Sequence, residues 1–149
     1  EAIISLLSYI YKNINILFTI SPVRHKKEGM VQNTRSKAHL ISAIHNILNR
    51  KNVSYFPSYE IMMDELRDYR FYAEDMIHPN KTAIQYIWEQ FAATWLTENS
   101  TLVMKEVASI QKGLTHKPFN KDSEMYQKFL RNLNKKKETI KNKFSFIEF

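Results

Sequence analysis

The sequence predicts an α/β protein with parallel strands. Three observations carry this: two short runs rich in β-branched residues, INILFTI (14–20) and VSYFP (53–57), a helical pattern of crossover length between them, and further helical patterns after the second run.

Taken in order, residues 1–13 set Ile3, Ile4, Leu7, Ile10 and Tyr11 along one helical stripe. INILFTI stops at Ser21-Pro22 and VSYFP ends in Pro57. Both have the continuous apolar character of strands buried on two faces. Between them a polar loop with Gly29 precedes a helix expected from Thr34, as N-cap, to Asn49. Parallel neighbours need a right-handed crossover, and this helix is long enough to be one. A short helix is expected over 58–67 with Ser58 as its cap, then a loop over 68–79. A strongly periodic helix should follow from Asn80 to Leu96, with Ile84, Ile87, Trp88, Phe91 and Trp95 facing inward. Another helix covers 100–114, HKPF (116–119) breaks it, and a last helix spans 122–143 with Met125, Phe129 and Leu133 on its apolar side.

Such a sheet has about five strands, and only two are visible. The chain also starts without a methionine, a basic leader or a cleavage site, in the middle of an amphipathic pattern. The expectation is that the rest of the sheet belongs to a preceding segment of a longer polypeptide.

Composition narrows the chemistry. With 44% hydrophobic and 13% aromatic residues, the 149-residue chain can build a core. The absence of cysteine excludes disulfides, thiolate metal sites and a cysteine nucleophile, and fits a reducing compartment. No apolar run approaches the roughly 20 residues that span a bilayer. The net charge of +7 is uneven: residues 1–111 hold 12 Lys and Arg against 11 Asp and Glu, whereas residues 112–143 hold 10 against 3. The body is nearly neutral and the tail basic.

The motif that carries chemistry is Asp75-x-x-His78, in the loop before the periodic helix. Four aspartates and five histidines give roughly 0.13 such pairs by chance in a chain this long, so the bare pattern weighs little. Its position weighs more. In open parallel sheets ligands sit beyond the carboxyl ends of the strands. His78 precedes Pro79, which biases its backbone away from helix. Asp75 can then accept a hydrogen bond from Nδ1 and leave Nε2 free to take a proton from a hydroxyl nucleophile. Arg24 and His25 follow the first strand directly and should open onto the same cleft, where a guanidinium suits a carboxylate, a phosphate or a developing oxyanion. His39, His45 and His116 show no metal-ligand spacing, and no metal or cofactor is expected.

The strings ILFTISPVRHKKEG, YFPSYEIMMDELRDYRFYAEDMIHPN and HKPFNKDSEMYQKF resemble the C-terminal half of the GSCFA family, a bacterial family grouped with the SGNH (GDSL-like) hydrolases. The resemblance implies a three-layer α/β/α, flavodoxin-like hydrolase with a Ser-His-Asp triad. Asp75 and His78 take the place of its last motif, and Ser21–His25 the loop after its fourth strand. On this reading residues 1–98 form the C-terminal half of the hydrolase domain, and 99–149 are a basic helical extension packing on it. The naming Gly-Ser-Cys-Phe-Ala string, which holds the proposed nucleophile, is not in this sequence. The serine is therefore expected upstream, and the chain alone should be inactive.

The implied substrate is a small or carbohydrate-linked acyl ester, and the implied partner is the upstream half of the same polypeptide, with self-association through strand edges as a further expectation. A bacterial cytoplasmic setting is favoured, with no membrane partner and with nucleic acid disfavoured as one. The alternative is a non-catalytic module using the basic 112–143 helix to bind an acidic partner or nucleic acid. A local nucleophile at Ser21 or Ser58 ranks last, because neither sits in a Gly-x-Ser-x-Gly elbow.

Overall fold

A computed structural model describes residues 2–149. The element order is helix α1 (Ala2–Ile10), strand β1 (Ile16–Thr19), helix α2 (Gly29–His45), strand β2 (Val53–Phe56) and the short helix α3 (Ser58–Glu60). A π-helical turn (Ile61–Glu65) and a 3₁₀ turn (Tyr69–Phe71) lead to helices α4 (Lys81–Trp95), α5 (Glu98–Leu114) and α6 (Glu124–Lys143). The protein is mixed α/β, with a small parallel sheet and a helical C-terminal region. No described helix is long and apolar enough to cross a membrane.

The two strands pair in parallel, Ile16 opposite Val53 through Thr19 opposite Phe56. Expected burial on both faces is not what β1 shows: Ile16 and Phe18 are half-buried and alternate with exposed Leu17 and Thr19. A two-strand ribbon gives β1 one neighbour, and period-two alternation then puts every second side chain in water. β2 is better covered, with Val53 and Phe56 buried.

Several element boundaries differ from the sequence expectation. Helix α2 starts at Gly29, whose φ of +88° suits a residue without Cβ. Thr34 is thus inside the helix, its hydroxyl donating to the Met30 carbonyl at 3.1 Å. Ser58 is not a helix cap: Pro57 occupies that place, and the buried Ser58 Oγ donates to the Ile20 carbonyl at 2.7 Å, 2.7 Å also from Thr19 Oγ1. This bond ties the end of β1 to the segment that follows β2.

The chain divides into two compact units, one up to Thr94 and one from Trp95 to Phe149. The core of the first contains Phe56, Ile61, Met62, Leu66, Tyr72 and Ala83, with Met63, Phe71, Tyr86, Ile87 and Phe91 against it. Helix α4 therefore turns a face centred on Ala83 and Ile87 inward. Ile84, Trp88 and Trp95, expected inside, are exposed. Close approach to the core selects the smallest side chain, and the adjacent stripe of bulky ones is left outside. Only Ile4 of the α1 stripe is buried, while Ile3, Ile10 and Tyr11 are open. The core of the second unit is Ile110, Leu133 and Ile140, flanked by Val107, Phe129, Phe144, Ile147 and Phe149. Ser123 caps α6 by accepting from the Tyr126 N–H.

Met62 has no exposed surface and lies at the centre of the first core. Met62→Ala should lower unfolding stability by about 2–5 kcal/mol, whereas the same change at exposed Met125 should stay within about 0.5 kcal/mol. Urea unfolding followed by circular dichroism measures both.

Candidate functional site

The Asp75–His78 loop is built as a small closed turn. Tyr72 and Pro79 form an antiparallel bridge, and the Ala73 N–H donates to the His78 carbonyl at 2.8 Å. At its tip Met76 takes a left-handed conformation, φ +57°, with its N–H donating to the Ala73 carbonyl at 2.9 Å. The loop leads straight into α4. The Asn80 side-chain oxygen accepts from the Ala83 N–H at 3.1 Å and its amide donates to the Arg70 carbonyl at 2.6 Å, so helix start and loop exit are fixed together.

Reversal at Met76 brings three donors onto one carboxylate. Asp75 Oδ1 accepts from the backbone N–H of Ile77 at 2.8 Å and of His78 at 3.0 Å. Asp75 Oδ2 stands 2.6 Å from His78 Nδ1. The His78 N–H, its ring and the Ile77 N–H hold the Asp75 carboxyl well below the usual carboxylate range. An ionised carboxylate only accepts, so Nδ1 carries a proton, and in the neutral ring Nε2 is the free base. The pair is open to water, with the His78 side chain 60% exposed. The expected Asp75–His78 contact is thus present in the structure.

Arg24 comes to the same loop from the end of β1. Its backbone N–H donates to the Ile77 carbonyl at 3.2 Å, and Nη1 to the Met76 carbonyl at 3.3 Å. Its guanidinium carbon lies 4.1 Å from the Tyr72 ring centroid and 5.2 Å from that of Tyr69. Arg24 also borders an open cleft of about 300 Å³ with Met63, Arg67, Asp68, Tyr69 and Tyr72, and buried Met62 lies behind it. His25 is turned elsewhere: its N–H donates to Asn33 Oδ1 at 2.7 Å and its ring Nδ1 is 3.7 Å from Glu28.

Residues that sequence reasoning missed hold this arrangement. Lys37 is buried on α2 and its Nζ donates to the Ser21 carbonyl at 2.6 Å, a contact that pins the start of the Arg24 loop. Burial pushes its ammonium below the ordinary lysine range. Tyr69 and Tyr72 supply the faces under Arg24. Tyr55 donates to both oxygens of Glu60 at 2.9 and 2.8 Å, and burial with this carboxylate raises its phenol. Ser58 is locked to the Ile20 carbonyl, and Ser21 Oγ accepts from the Val23 N–H at 3.2 Å. Among the described residues His78 makes no hydrogen bond with a hydroxyl, and no three His, Asp or Glu side chains converge as metal ligands.

Compared with family models, residues 1–91 match the GSCFA family and residues 107–149 match the GSCFA domain protein, C-terminal domain. No curated protein and no solved structure matches the chain.

The Asp75 carboxyl titrates lower in the folded loop than in the unfolded chain, so the folded state binds fewer protons there. Its contribution to loop order is present above about pH 4 and is lost as the pH falls below that. In an NMR titration downward from pH 5, the Ile77 and His78 amide resonances should hold their positions through about pH 4, where an ordinary aspartate titrates, and move together only well below it. In Asp75→Asn they should start displaced and show no such step.

Proposed function

The chain belongs to the GSCFA family, and from that premise we propose that it supplies the acid–base half of a serine ester hydrolase of the SGNH type. Within the α/β/α sheet this implies, the nucleophilic serine lies outside residues 1–149. The 2.6 Å contact between Asp75 Oδ2 and His78 Nδ1 supports this reading most directly. It leaves Nε2 as the basic atom of a solvent-open imidazole.

In the first half-reaction Nε2 of His78 removes the proton from a serine hydroxyl as its oxygen attacks the ester carbonyl. The imidazolium that forms is stabilised by the ionised Asp75. The same proton then passes to the departing alkoxide, which leaves as the alcohol. In the second half Nε2 takes a proton from water, which attacks the acyl-enzyme, and returns it to the serine oxygen, releasing the acid. The cleft beside Arg24, lined by Met63, Tyr69 and Tyr72 with Arg67 and Asp68 as its charged groups, suits one side of an acyl ester of a small alcohol or a sugar. Locked Ser58 and turn-bound Ser21 are poor nucleophiles for this imidazole.

A second reading rests on the other unit. A groove of about 830 Å³ between α5 and α6 is bordered by Lys105, Lys135 and Lys136 and by one carboxylate residue, Glu106, over an apolar floor including Phe129 and Leu133. Among the described residues no lysine of 112–143 has a carboxylate within ion-pair distance. This favours a docking face for an acidic partner.

Fluorophosphonate labelling read by intact mass tests the first reading. The chain alone should stay unlabelled. A polypeptide that also carries the family's nucleophile segment should gain one adduct on that segment. There, His78→Ala should lower ester kcat/KM by about three orders of magnitude or more. An adduct on Ser21 or Ser58 that His78→Ala abolishes would place the nucleophile inside the chain. The second reading predicts a steep loss of affinity for a polyglutamate probe between about 50 and 200 mM salt, to which ester turnover should be nearly indifferent.

A further inference from the structure

We infer that Arg24 is a positioning residue for His78: it holds the Asp75–His78 turn in the shape that joins carboxylate to imidazole. The inference rests on the same pair as the proposed function, but it needs only the geometry of that pair and not the ester chemistry.

The turn is closed on its inner side by its own bonds, with the Asp75 carboxylate gathering the Ile77 and His78 N–H groups. Its outer side presents the carbonyls of Met76 and Ile77. Both are taken by Arg24, one by the guanidinium and one by the backbone N–H. Met76 is the residue most prone to relax, because a side chain at φ +57° is strained relative to its right-handed alternatives. A donor on the Met76 carbonyl fixes the peptide that follows the reversal. The Tyr72 ring, which begins the turn, lies under the same guanidinium. One side chain thus grips both the start of the turn and its tip.

Arg24 can act as a clamp only if it is itself held, and it is. Lys37 fixes the Ser21 carbonyl three residues before it, and Asn33 fixes the His25 N–H just after it. Both belong to α2, so the clamp is anchored in the crossover helix. The Arg24 backbone bond to Ile77 would survive removal of the side chain. The expected failure is local: the tip loosens while the parallel strands stay paired.

The test uses the 149-residue chain and two NMR readouts, the downfield proton on His78 Nδ1 and hydrogen exchange of the Ile77 and His78 amides. In Arg24→Ala the Nδ1 proton signal should weaken or vanish. Exchange at 77 and 78 should rise about tenfold, the combined value of one hydrogen bond and one partly exposed cation–π contact. The amides within the β1–β2 ladder should keep their protection. Arg24→Lys, which can restore a cation over Tyr72, should recover part of the signal. Wild-type values at both readouts in Arg24→Ala would overturn the inference, even if the chain proved to be half of an active esterase. Should Arg24→Ala lose its whole fold, Arg24→Gln decides. Weakened Nδ1 signal and faster exchange there sustain the clamp, and unchanged values refute it.

Discussion

The parallel register that sets Thr19 beside Phe56 is the constraint from which the candidate site follows. Parallel strands end on the same edge, so the segments leaving β1 and β2 emerge side by side although some 37 residues of chain separate the two strand ends. One segment carries Arg24. The other passes through α3 and the π-helical turn to Asp75 and His78. The Ser58 hydroxyl on the Ile20 carbonyl and the Lys37 ammonium on the Ser21 carbonyl then seal that edge. An antiparallel pairing would send the two segments to opposite ends of the ribbon, and Arg24 could not reach the Met76 carbonyl.

Much of this was legible in the sequence, and the reasons are physical. The strands announced themselves through β-branched runs that end near proline, at Pro22 and Pro57, where no ladder donor is available. The Asp75–His78 pair was legible because a carboxylate three residues before a His-Pro lies within local reach of the ring. The Arg24 clamp was not: the Met76 carbonyl it holds lies 52 residues away, and local pattern contains no term for such a contact. The α4 face was misjudged for a different reason. Two apolar stripes lie one residue apart on this helix, and periodicity scores the bulky one higher. Ala83 wins the inward place because it is small, which only the packed neighbours reveal.

The two units also differ in charge content, with ten of the 22 Lys and Arg residues in 112–143. Around the Asp75–His78 loop Asp68 meets Arg70 at 3.2 Å, and Asp75 holds the His78 ring. The second unit carries its lysines without such partners among the described residues and rests on the Ile110, Leu133 and Ile140 core. Its close packing is visible at Gly113, where an added Cβ would stand 2.6 Å from a methyl of Leu133. The family matches fall separately on 1–91 and 107–149.

The left-handed Met76 changes what Asp-x-x-His means as a pattern. Its two middle positions carry no catalytic group, yet the first of them must accept a positive φ before the aspartate can reach its three donors. Valine, isoleucine or threonine there would resist that geometry, whereas glycine or asparagine would welcome it. A string with a β-branched residue after the aspartate therefore spells the same letters without readily forming the same turn. Torsional tolerance at one silent position thus joins the identity of the two named ones in deciding whether the pattern can bring carboxylate and imidazole together.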